Sequence, residues 1–67
     1  MSNESIRKIF NDYYEANNKP QLKVLAKKMN IDESYFIKWK NGQRDMSGEY
    51  LVKVIKFIDE YDYRKQS

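Results

Sequence analysis

The side chains that can do chemistry in this chain are almost all simple charges. Thirteen lysines and arginines stand against ten aspartates and glutamates, with neither histidine nor cysteine among the 67 residues. Without imidazole there is no side chain whose ordinary pKa lies near neutrality. Without imidazole or thiolate the usual zinc ligand sets are missing too, and disulfides are excluded. Two carboxylate pairs remain, Asp12 with Glu15 and Asp59 with Glu60. Neither has a metal-ligating companion, so both read as solvated acids, and the chain reads as a non-enzyme that uses no metal and no cofactor.

The cations are more informative because they are clustered. From Met1 to Asn18 the net charge is −1, from Asp45 to Ser67 it is again −1, and from Lys19 to Arg44 it is +5. The central excess comes from Lys19, Lys23, Lys27, Lys28, Lys38, Lys40 and Arg44 against Asp32 and Glu33. One face meeting a polyanion would produce this pattern, and so would a lysine-rich surface that only keeps a small protein soluble. No apolar run approaches the ~20 residues a membrane helix needs. Met1 to Asn18 also lacks the apolar stretch of a secretory signal, so a cytoplasmic location without membrane contact is the expectation.

These charges must be held by something, and apolar spacing shows what. Residues 1–67 make one domain at most, burying only roughly 60% of its unfolded surface. Six Tyr, three Phe and one Trp supply a large apolar area for so short a chain. Ile6, Ile9, Phe10 and Tyr13 fall at i, i+3, i+4 and i+7 and predict a first helix, capped by Ser2 or Asn3 and running to about Ala16. Asn17-Asn18 favours a turn, and Pro20 marks a new first turn. Leu22, Leu25, Ala26 and Met29 share one face of a second helix, with Lys23, Lys27 and Lys28 opposite. Asp32 can cap a third helix, in which Phe36 and Trp39 point inward and which Asn41-Gly42 closes. After a loop from Gln43 to Met46, Ser47 can cap a fourth helix carrying Leu51, Val54, Ile55 and Ile58, which Tyr61 could extend. Arg64 to Ser67 should fray.

The break between the second and third helices is the most specific feature. Only Asn30, Ile31 and Asp32 separate them, and so short a turn makes the helices cross steeply. The geometry needs a small residue at the crossing, met by Ala26, and a residue tolerant of positive φ, met by Asn30. An apolar plug is needed next, and Ile31 supplies it. Leu22 to Arg44, LKVLAKKMNIDESYFIKWKNGQR, resembles the helix-turn-helix of the lambda-repressor/Cro superfamily, often called the XRE family. The likeness extends from Ile6 to Ile58 and rests on Leu25-Ala26, Met29, Ile31, Phe36, Trp39 and Asn41-Gly42. Two departures stand out: Asn30 replaces the usual glycine, and Asp45-Met46 stands where a proline is common.

The resemblance implies an all-α, compact lambda-repressor-like domain of four helices, or five where a further one follows, with its helix-turn-helix core at 21–42. It implies a sequence-specific transcriptional regulator of the phage or mobile-element type, binding double-stranded DNA as a homodimer and acting on no small-molecule substrate. A recognition helix at about 33–41 would enter the major groove. Carried over residue by residue, Glu33, Ser34 and Lys38 would touch base edges, with Tyr35 and Ile37 beside them. Lys38 could donate to guanine and Glu33 accept from cytosine. Gln21, Leu22 through its backbone N–H, Lys40, Asn41, Gln43 and Arg44 would hold phosphates and so fix register.

Plainer readings stand beside these. Asp32 and Glu33 suit the first turn of a helix for electrostatic reasons alone. Lys23, Lys27 and Lys28 could be ordinary solvated surface. Tyr50, Phe57, Tyr61 and Tyr63 exceed what one thin core needs, which suggests self-association or compensation for an absent fifth helix. A protein-binding module on the same fold (an antitoxin, an anti-repressor or an inhibitor of a host enzyme) is the alternative to a DNA binder.

Overall fold

The computed structural model describes residues 2–61, and within them the chain forms four α-helices and no strand. The first, α1 (Asn3–Ala16), starts where Ser2 Oγ accepts a hydrogen bond from the Ser5 N–H at 3.0 Å. It buries Ile6, Phe10 and Tyr13. Ile9, expected in the same stripe, is instead 41% exposed. The cause is the pitch at which α1 meets its neighbours. Asn3, Arg7 and Tyr14 face the third helix and its flanking loop, and that rotation turns the opposite shoulder, with Ile9, to solvent.

The second helix, α2 (Leu22–Met29), buries Leu25, Ala26 and Met29, with Leu22 half-buried. Pro20 does not sit in its first turn as the sequence suggests. Gln21 is still extended at φ −61° and ψ 122°, so helical dihedrals begin only at Leu22 and Pro20 belongs to the connector. The third helix, α3 (Glu33–Lys40), starts at Asp32, whose carboxylate accepts from the Tyr35 N–H at 3.1 Å. The fourth, α4 (Gly48–Tyr61), buries Leu51, Val54, Phe57 and Ile58. Ser47 stands one residue before it and contributes its carbonyl to the Leu51 N–H at 3.0 Å. Tyr63 and Arg64 to Ser67 lie outside the described residues.

Three helices end by one device. A residue with positive φ donates to the carbonyl three back, and the residue after it donates to the carbonyl five back, which caps two otherwise unpaired acceptors. Asn18 (φ 64°) and Lys19 close α1, Asn30 (φ 58°) and Ile31 close α2, and Gly42 (φ 81°) and Gln43 close α3. The asparagine at position 30 therefore does adopt the left-handed conformation usually left to glycine.

The helices pack as α1 on α3 and α4, and α2 on α3 and α4. At the centre Phe10, Phe36 and Trp39 are each 0% exposed. Phe10 meets Phe36 edge-on at 5.1 Å between ring centres, while Phe36 stacks beside Trp39 at 5.9 Å. Truncating any of the three to alanine would cost about 3–5 kcal/mol. Phe57 closes one side against Tyr13 at 5.6 Å. Part of the aromatic surplus near the C-terminus is thus consumed by the core.

Candidate nucleic-acid interface

The short helix α3 has one side committed to the core and one side free. Phe36 and Trp39 anchor it inward. At 100° per residue Ser34, Lys38 and Asn41, spaced i, i+4 and i+7, fall on the opposite side. All three are exposed, as is Glu33 at the leading edge. Of the proposed base-contacting residues, then, Glu33, Ser34 and Lys38 are presented together, while Tyr35 and Ile37 flank them half-buried. Tyr35 is further engaged: its ring meets Tyr50 edge-on at 5.3 Å and carries the Arg44 guanidinium at 4.1 Å.

The proposed phosphate contacts divide between the two ends of the helix pair. At the start of α2, Gln21 is exposed and its side chain makes no cap bond, and Leu22 is the first helical residue, whose N–H has no acceptor within the helix. Beyond α3, Asn41, Gln43 and Arg44 are exposed, whereas Lys40 is half-buried with its ammonium 4.3 Å from the Tyr14 ring. Lys40 is therefore drawn toward α1 rather than toward the loop that carries the others.

Charge is distributed unevenly around this face. Among the described residues the ion pairs are Arg7–Asp45, Lys8–Asp12 and Lys19–Glu15, so Lys23, Lys27 and Lys38 have no carboxylate within pairing distance. Lys23 and Lys27 border an open groove of about 380 Å³ between α2 and the start of α3, where Asp32 and Glu33 form the other wall. No group of His, Cys, Asp or Glu among the described residues has the arrangement of a metal site. Among the described residues no helix is long and apolar enough to cross a membrane.

Several residues that shape the face were missed by sequence reasoning. Asn3 is a three-way clamp: its side-chain oxygen accepts from Trp39 Nε1 at 3.0 Å and from the Met46 N–H at 2.7 Å, and its amide donates to the Met46 carbonyl at 3.1 Å. Arg7 donates to the Trp39 carbonyl, to the Arg44 carbonyl at 3.0 Å and to Asp45 at 3.1 Å. Together they fasten the end of α3 and the following loop to α1. Met46, a loop residue by sequence, is only 5% exposed as a result. Its apolar side chain in an otherwise polar loop was the one available signal.

Comparison of the chain with protein-family models, curated proteins and solved structures finds no match.

Proposed function

We propose that this chain is a transcriptional regulator of the repressor/Cro type that binds double-stranded DNA as a homodimer, with α3 in the major groove. The observation that carries this reading is the division of α3. Ser34, Lys38 and Asn41 line its solvent side, while Phe36 and Trp39 on its other side are 0% exposed. A groove roughly 12 Å wide admits such a helix; the Ser34 hydroxyl and the Lys38 ammonium can meet base edges, and the Asn41 amide at the helix end can meet a phosphate. The short turn at Asn30–Asp32 supports it by holding α2 against α3, the arrangement in which one helix braces the other on DNA. The surrounding cations, Lys23, Lys27 and Arg44, suit a phosphate backbone.

The test is duplex binding followed by fluorescence anisotropy at two salt concentrations. Affinity should fall steeply as salt rises, because each neutralised phosphate releases counterions. In a selection from random duplexes, Lys38→Ala should lose roughly 1–3 kcal/mol of discrimination at one base position. Arg44→Ala should weaken all sequences alike and flatten the salt slope. Full affinity and full preference in both variants would show that the docking face is elsewhere. Sedimentation at micromolar concentration checks the dimer, and a strict monomer with and without DNA would remove it. One observation suits a protein partner instead: Glu33 is exposed at the leading edge of the same face, where it would meet phosphates. Absence of duplex binding at low salt would favour that reading.

A further inference from the structure

We infer that Tyr35 and Tyr50 are positioning residues that hold Arg44 and Lys53 as a preorganised phosphate-binding rim along the α4 side of α3; the inference rests on the DNA-binding reading above. Four side chains form a continuous ladder. The Arg44 guanidinium lies 4.1 Å from the Tyr35 ring centre, Tyr35 meets Tyr50 edge-on at 5.3 Å, and the Lys53 ammonium lies 4.9 Å from the Tyr50 ring. Lys53 then reaches the Asn30 carbonyl at 3.4 Å. The ladder thus links the loop after α3 to the turn before it.

Each cation keeps free donors. A guanidinium stacked on a ring uses its face and leaves its five N–H groups at the edge. No carboxylate pairs with Arg44 among the described residues, and its backbone is pinned because its carbonyl accepts from Arg7 at 3.0 Å. Lys53 spends one of its three donors on the turn carbonyl and retains two. Holding long side chains in place before binding removes part of the entropy that their capture by phosphate would otherwise cost. Tyr35 neighbours Ser34 in sequence and Lys38 at i+3, so the rim borders the proposed base-reading stripe. Its ring, between Arg44 and Tyr50, is already occupied. Tyr35 is therefore assigned to positioning and not to a base.

The two cation–ring contacts that involve α1 differ. Arg7 beside Trp39 is saturated by three oxygen acceptors, so it serves the fold. Lys40 over Tyr14 lies toward α1.

Two measurements on the full chain test the rim. In free protein, NMR should show the Arg44 side-chain protons shifted upfield by the Tyr35 ring, retained in Tyr35→Phe and lost in Tyr35→Leu. In duplex titrations Tyr35→Phe should bind like the unmodified chain, and Tyr35→Leu should bind about two- to fivefold more weakly to all sequences alike. That loss should vanish when Arg44→Ala is already present. Lys53→Ala, which leaves the core untouched, should lower the salt slope by about one. The rim is overturned by an unshifted Arg44 in the free chain, by a Tyr35→Leu effect confined to one base position, or by an unchanged slope in Lys53→Ala. Failure of the unmodified chain to bind duplex overturns the rim and the DNA-binding reading together. Normal binding that is indifferent to these variants overturns the rim alone.

Discussion

The two connections that flank α3 begin alike and are built differently. Both open with a left-handed residue and the same pair of capping hydrogen bonds, at Asn30-Ile31 before the helix and at Gly42-Gln43 after it. The next side chain then decides. Ile31 is 5% exposed, so burial of its own apolar surface sets the bend before α3. Gln43 is exposed, and the chain runs on to Met46 without a local anchor of that kind. What fixes the second connection comes from the far end of the sequence, Asn3 and Arg7 on α1. A turn held by its own side chains and a loop held by borrowed ones should respond differently to substitution.

Among substitutions that tell the two connections apart, the largest effect is expected at the borrowed clamp. Asn3→Ala strands the Trp39 indole N–H and the Met46 amide, and leaving buried donors unpaired should cost about 2–4 kcal/mol in urea unfolding. Hydrogen exchange should speed up more at Met46 than at the Ile31 amide, which loses only the protection that the fall in global stability removes, since the turn itself does not depend on Asn3. Equal loosening of both connections would dissolve the distinction. Arg7→Met comes next, at about 1–2 kcal/mol, because it removes hydrogen bonds to the Trp39 and Arg44 carbonyls. On the other side of α3, Asn30→Ala should cost about 1 kcal/mol by placing an ordinary side chain at φ 58°, whereas Asn30→Gly should be neutral or slightly stabilising. Thermal melts of the pair check the sign, and a strongly destabilised glycine variant would mean that the asparagine side chain has a further role. Asp45→Asn should change stability least, by under about 0.5 kcal/mol, because that carboxylate is 74% exposed and its pairing with Arg7 is screened by water.

The same asymmetry explains what was legible beforehand. The four helices, the cap at Asp32, the left-handed Asn30 and the buried Ile31, Phe36 and Trp39 all follow from neighbours within a few residues, where spacing and backbone preference are strong. The exposure of Glu33, Ser34 and Lys38 follows in turn, since anchoring Phe36 and Trp39 leaves those positions outside. Ile9 and Pro20 depart from what their local spacing suggests, for different reasons. A stripe spaced i, i+3, i+4 and i+7 says that a helix has an apolar side, but the centre of that side depends on where its partners lie. Proline suits a helix start, but the chain had first to leave two consecutive left-handed residues at Asn18 and Lys19.

Local sequence determined the elements, their closures and which side of α3 meets water, because hydrogen bonds and apolar spacing within one or two turns suffice for those. Tertiary packing alone decided that Asn3 and Arg7 would fasten the loop beyond α3, and that Tyr35 would lie between Tyr50 and Arg44. Those partners are separated by 9 to 43 positions along the chain, and polar or aromatic side chains that far apart carry no periodic signal. Only when α1 and α4 close around α3 do they come within hydrogen-bonding or stacking distance.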